Sequence, residues 1–351
     1  MDAKLHISKQ VKRWGLLALA IFFTLGVSLF NEGYRQTGHL QTGKLALAQP
    51  LVETESPETP NNTAVYHFKV GDFNAMVVSD GTLSFPVSFF LPNADPDAVA
   101  AVLTEHFLST EDVFAHVNTL YVETDEHKVL IDTGAGDTFG PSVGHVVDNL
   151  EKAGVPATDI DTVILTHAHP DHIGGILDDA GQLQFPNAQY YLSQAEWEFW
   201  TAPTVEMPNS LLDEETQANL VGVAQGRLAA IADRRTLFQI GDDVIPGISS
   251  MNAVGHTPGQ VAFLITAGED SLVATGDVFF SDPLNLENPD WEIIFDADPQ
   301  QGVETRKQLL SEVTANRRLL LVPHMPFPGL GHVRPQGEAY GWEPIVWRFE
   351  P

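Results

Sequence analysis

Residues 166–172 read Thr-His-Ala-His-Pro-Asp-His, directly behind the apolar run Thr162–Leu165 and just ahead of Gly174-Gly175. His167, His169, Asp171 and His172 thus gather three imidazoles and a carboxylate at the end of a predicted strand. Neutral imidazole and carboxylate are the donors that zinc and similar borderline cations prefer, and a loop leaving a strand can aim alternate side chains at two neighbouring ions. A solvated polar loop has no use for so dense a set of ligand types.

Further potential ligands follow later strand-like runs: His256 in Val254-Gly255-His256-Thr257-Pro258-Gly259, Asp277 in Ala274-Thr275-Gly276-Asp277, and His324 in Leu320-Leu321-Val322-Pro323-His324. Taken singly each is weak, because a lone His behind a strand is more often a hydrogen-bonded surface or core residue. Together with the cluster they form a set.

Around this set the chain alternates short strands and helices. Before Asp132 the β-rich runs Tyr66–Val70, Phe73–Val78, Thr119–Glu123 and Lys128–Ile131 are parted by the turn signals Gly71-Asp72, Asp80-Gly81 and Asp125-Glu126, which predicts hairpins. After Asp132, predicted helices at Ser142–Ala153 and Gln194–Trp200 alternate with strands at Thr162–Leu165, Gln189–Leu192, Val261–Ile265 and Leu272–Ala274. Asp298-Pro299-Gln300-Gln301 reads as a helix start with Asp298 as N-cap and Gln301 closing a capping box; this helix should run to about Asn316 and feed a strand at Leu319–Val322.

Composition narrows the function. Lys+Arg 18 against Asp+Glu 47 gives a formal charge of -29, and residues beyond Ala48 carry 12 of the basic and 45 of the acidic groups, or -33. Such a body repels polyanions, so nucleic acid is excluded as a partner. With no cysteine there is no disulfide framework, thiolate metal site or cysteine nucleophile, and the compartment stays open. Lys4, Lys9, Lys12 and Arg13 precede the apolar run Trp14–Phe30, the layout of a secretory signal, with Ala46-Leu47-Ala48 as a cleavage candidate. Residues 1–48 are therefore read as an export signal to the periplasm or medium; an uncleaved membrane anchor is the alternative. Residues 49–63, rich in Pro, Thr and Glu, read as a linker, and residues 64–351 as the folded domain.

The order Asp132, His167–His172, His256, Asp277, His324, spread over roughly two hundred residues, resembles the metallo-β-lactamase superfamily. The resemblance implies an α+β, four-layer αββα sandwich with a metal site at one edge. It also implies that His167, His169 and His256 hold one divalent metal, that Asp171, His172 and His324 hold a second, and that Asp277 bridges them. Asp132 would orient the ligands. Zinc comes first, with cobalt, manganese and iron compatible. Such a pair can share a hydroxide and polarise the substrate oxygen, and Asp171 could pass a proton to the leaving group.

Within the superfamily, His169 stands where redox di-iron members carry an acid, and the absence of cysteine departs from true β-lactamases. The motifs Val70-Gly71-Asp72-Phe73, Val78-Ser79-Asp80-Gly81, Val129 to Gly136, Phe139-Gly140-Pro141 and His324 to His332 are similar to the methyl parathion hydrolase group, related to lactonases and arylesterases. That resemblance implies hydrolysis of an ester-type bond (lactone, aryl ester or phosphotriester) in a small neutral substrate. Phe139, Trp197, Trp200, Phe279, Phe280 and Phe327 are the candidate pocket walls, although Trp197 and Trp200 read equally well as core. Thr201–Ser210 and Ser281–Trp291 are either loops over the mouth or surface turns. The competing classes are a non-catalytic ligand-binding or sensing module and an iron oxidoreductase; a homodimer is compatible with the sequence.

Overall fold

The computed structural model describes residues 63–348; the expected export signal at 1–48 and all but the last residue of the expected linker at 49–63 lie outside them. Two seven-stranded sheets form the centre. The first holds, in spatial order, β1 (Val65–Val70), β2 (Phe73–Pro86), β3 (Asp112–Glu123), β4 (Lys128–Ile131), β5 (Thr162–Ile164), β6 (Gln189–Ser193) and β7 (Arg235–Phe238). The second holds β8 (Asp243–Ile245), β9 (Ile248–Asn252), β10 (Val261–Ala267), β11 (Asp270–Ala274), β12 (Leu319–Leu321), β13 (Leu330–Gln336) and β14 (Ala339–Pro344).

Period-2 alternation sorts the side chains into layers. Val129 and Ile131 of β4 point between the sheets, where they join Ile164, Val261, Phe263, Leu272 and Leu321. Leu130, one residue out of phase, joins Val163, Tyr190 and Leu192 under a helical layer. That layer includes α2 (Val146–Lys152), α3 (Gln194–Trp200) and α4 (Glu214–Ala230), which contribute Val146, Leu150, Trp200, Ala224 and Leu228. On the far side α5 (Pro299–Ala315) buries Leu309, Leu310 and Val313 against Val273 and Leu320. The result is the expected αββα sandwich. A remaining helix, α1 (Pro96–Glu105), packs Val99 and Leu103 with Phe90, Phe280 and Leu284 at one end of the layers.

The sheets share one feature that positions the site. β4 and β5 run parallel in the first, and β11 and β12 run parallel in the second. Parallel neighbours end at the same edge, so Asp132 and the His167–His172 loop leave one sheet side by side, as Asp277 and His324 leave the other.

Three local expectations are corrected. Asp80-Gly81 is a bulge inside the continuous strand β2 and not a turn. The buried Asp80 carboxylate takes the N–H groups of Ala135, His145 and Val146. Two of those donors also explain why α2 starts at Val146 and not near Ser142: Gly144 has φ +90°, and Asp80 supplies the cap from another element. In α5, Asp298 accepts the Gln301 N–H at 3.0 Å, but the Gln301 amide donates to Thr305 at 3.2 Å, leaving the capping box half formed.

Candidate metal centre

The chain reaches the site through five loops. The His167–His172 loop follows β5 and closes in one helical turn, Pro170–Ile173. Gly174 and Gly175 then pass so close to Ala135 and Thr133, respectively, that an added Cβ would lie 1.9 Å and 2.1 Å from their carbonyl oxygens, which seats this loop on the one after β4. Asp132 has φ 61°, a left-handed conformation that Asp tolerates better than most residues, and its side chain is fully used. It accepts the Thr166 N–H and hydroxyl, each at 2.8 Å, and meets His172 Nδ1 at 2.8 Å.

All seven predicted ligand positions come together. Donor atoms of His167, His169 and His256 form one group, and those of Asp171, His172, Asp277 and His324 a second, each within 4.8 Å and each able to hold a metal ion. Asp277 lies between them: Oδ1 is 3.1 Å from His172 Nε2, while Oδ2 is 3.0 Å from His324 Nε2 and 3.4 Å from His256 Nε2. Asp171 Oδ2 stands 3.5 Å from His324 Nε2 and 3.7 Å from His172 Nε2. His169 Nδ1 and His256 Nε2 face each other at 2.8 Å.

The outward ring nitrogens of three further histidines have partners. His256 Nδ1 meets Asp296 at 2.8 Å, His324 Nδ1 donates to the His116 carbonyl at 2.6 Å, and His167 Nδ1 meets the Thr166 hydroxyl at 3.0 Å. These contacts choose which nitrogen points inward. His167 Nε2, His172 Nε2 and Asp277 Oδ1 are buried without a hydrogen-bond partner, an arrangement that costs stability unless something else satisfies them. Two divalent cations fit that donor set.

Electrostatics agree. Burial and the neighbouring His172 hold His167 well below the usual histidine range; burial and His256 do the same to His169. Both rings are therefore neutral and ready to coordinate. Burial also pushes His172 and His324 down, but Asp277 foremost, with Asp171, outweighs it and raises both. For Asp277, burial pushes upward and is overcome by His172, His324 and His167, which hold it well below an ordinary carboxylate.

Above the donors lies a cleft of about 40 Å³ walled by Leu83, Phe85, Phe139, Leu220, Phe280 and Phe295. Phe280 stacks on His324 with ring centroids 4.4 Å apart. The other predicted wall residues are elsewhere. Trp200 is fully buried beneath the site, its ring edge-on to His169; Trp197 packs under the Arg235 guanidinium; Phe279 sits in the outer layer of the second sheet. Phe327 packs against Trp347 and the inter-sheet core. Ser281–Trp291 is neither rim nor surface turn, because Pro283, Leu284, Asn285 and Leu286 are buried. Part of Thr201–Ser210, from Glu206 to Asn209, lines a separate cavity of about 260 Å³.

Sequence reasoning missed Phe85, Leu220 and Phe295, together with Asp296 and Glu196. The last two are buried acids, and nothing in their spacing marks them: Asp296 stands beside a helix cap and Glu196 in the first turn of α3, both ordinary places for an acid.

The structure of AidC, a dizinc quorum-quenching lactonase in complex with a product N-hexanoyl-L-homoserine, superposes with a TM-score of 0.79 at 28% identity, covering 82% of this chain and 99% of that one. The hydrolase AbOPH gives a TM-score of 0.76 at 32% identity, covering 82% and 100%. The probable metallo-hydrolase Rv2300c of Mycobacterium tuberculosis is 29% identical over 191 residues, 46% of this chain and 56% of that protein. The chain spans between 26% and 62% of the length of the curated relatives it matches. The family model described as the metallo-beta-lactamase superfamily matches residues 113–324, from the start of β3 to the last of the seven donors, and the chain belongs to that superfamily.

Proposed function

We propose that this protein is a metal-dependent hydrolase that cleaves an ester-type bond in a small neutral substrate, with a lactone ahead of an aryl ester or a phosphotriester. The observation that carries the reading is the pair of converging donor groups sharing Asp277 at the floor of an apolar cleft. Bound there, two divalent cations, zinc foremost, would lower the pKa of a water and polarise the substrate's carbonyl or phosphoryl oxygen.

The chain's own residues supply the rest. Asp277 Oδ1 faces His172 while Oδ2 lies 3.0 Å from His324 and 3.4 Å from His256, and Asp132, Asp296 and the His116 carbonyl hold the rings in register. Asp171 borders the cleft, which supports a role in carrying a proton to the leaving group. Phe85, Phe139, Phe280 and Phe295 exclude water and offer no charge, which favours an uncharged acyl or aryl substituent. A cleft of about 40 Å³ takes the reacting group and leaves the rest of the substrate on the aromatic rim. The solved lactonase carries a hexanoyl product, an acyl chain of the kind such a rim suits.

The proposal includes delivery across the membrane by residues 1–48, which N-terminal sequencing of the mature protein tests. The activity is tested with an acyl lactone, an aryl ester and a dialkyl aryl phosphotriester on metal-quantified protein. Turnover of at least one that tracks bound metal is the expected result. Two bound ions with no turnover of any member would favour a ligand-binding module.

A further inference from the structure

Glu196 is fully buried, and its carboxylate accepts four hydrogen bonds from three parts of the chain. Oε1 takes the Ala168 N–H at 2.8 Å and the Trp200 indole N–H at 2.6 Å. Oε2 takes the Thr257 hydroxyl at 2.6 Å and the Gly259 N–H at 3.1 Å. Ala168 lies between His167 and His169, and Thr257 follows His256. One carboxylate thus joins the backbones that carry all three histidines of the first donor group.

The junction is tightly built. A Cβ on Gly259 would lie 2.0 Å from the Glu196 nitrogen, so only glycine permits the approach. Ser193 Oγ accepts the Glu196 N–H at 3.0 Å and donates to the Gly259 carbonyl at 2.6 Å, closing a second link between α3 and the same loop. Trp200, held by the same carboxylate, sets its ring 5.7 Å from that of His169. The second group is held from elsewhere: His172 by Asp132 and His324 by the His116 carbonyl.

We propose that Glu196 is a positioning residue for the His167, His169 and His256 group alone, setting the 2.8 Å approach of His169 Nδ1 to His256 Nε2 by clamping two loops from different sheets. The inference rests on the metal reading of the site. Glu196→Gln keeps the shape and removes half the acceptors. Its amide oxygen can still serve Ala168 and Trp200, whose N–H groups can only donate, while the amide nitrogen faces Thr257, whose hydroxyl can turn to accept. The Gly259 N–H is left opposed to a donor, so the damage falls on the His256 loop.

The test is a zinc titration of the full-length protein against a competing chelator, with zinc content measured after desalting. Wild type is expected to take two ions, and Glu196→Gln to hold one of them about 10- to 100-fold more weakly with the other unchanged, the usual cost of losing a supporting contact to a ligand. Adding His324→Ala to Glu196→Gln should abolish the ion that remains, while adding His169→Ala should spare it. Thr257→Val should reproduce the selective loss in weaker form and Thr257→Ser should restore wild-type binding; this pair decides the matter if Glu196→Gln does not fold. Equal weakening of both ions, or two ions held as in wild type by Glu196→Gln and Thr257→Val, would overturn the clamp alone. A wild-type protein that takes up no zinc would overturn the metal reading and the clamp with it.

Discussion

Asp132 is the residue whose loss should be most informative, because its carboxylate meets two donors on Thr166 and the ring of His172 at 2.8 Å each. Asn also tolerates a φ of 61°, so Asp132→Asn should fold, yet it cannot serve all three partners at once. We expect zinc affinity to fall about 10- to 100-fold, read by chelator competition, and the thermal midpoint in the presence of zinc to fall with it. Asp171→Asn separates two roles. Asn remains a weak ligand but no longer carries a proton, so bound metal should persist while kcat falls about 10²-fold or more. Full turnover with bound metal would remove Asp171 from proton transfer. These ligand positions were legible in the sequence because they are chemically extreme and clustered. Asp296 and Glu196 were not, since a buried acid beside a cap looks like any helix start until the fold brings it to a ligand loop.

At the scale of elements, legibility followed burial. The strands Lys128–Ile131 and the helix Gln194–Trp200 appear with their predicted ends, because apolar runs between turn signals leave little choice. The helix Glu214–Ala230 buries only Thr216, Ala224 and Leu228 along its length, so its sequence carries almost no periodic signal. Phe139 and Phe280 line the cleft as read, and the other four predicted wall residues failed for a related reason: nearness in sequence to a ligand does not say which face of a strand or helix a ring occupies, and Trp197 and Trp200 were carried under the sheet by α3. Asp298, by contrast, caps α5 as read, accepting the Gln301 N–H. Asp298→Ala should lower unfolding free energy by about 1 kcal/mol in chemical denaturation, without altering metal content.

For the whole molecule, metal binding and protonation should be linked. His172 and His324 have raised pKa values, through the nearby carboxylates, and so keep their protons to a higher pH than an ordinary histidine; a cation must displace them. Zinc affinity should therefore rise with pH, and binding near neutrality should release protons, measurable by calorimetry in buffers of different ionisation enthalpy. An affinity independent of pH would contradict this. Zinc at about 100 times its Kd adds about 2.7 kcal/mol per site to folding, so a chelator should lower the thermal midpoint by several degrees and added zinc should restore it.

The parallel pairs β4–β5 and β11–β12 each deliver their loops to the same edge, and the last donor is His324. During synthesis neither donor group can close early: His256 completes the first only after β9 exists, and the second waits for nearly the whole chain. A ribosome-bound fragment that stops short of His324 thus cannot complete the paired donor groups. The identity of the ion is decided by the cation supply wherever the finished polypeptide folds, and not by the supply where it is made.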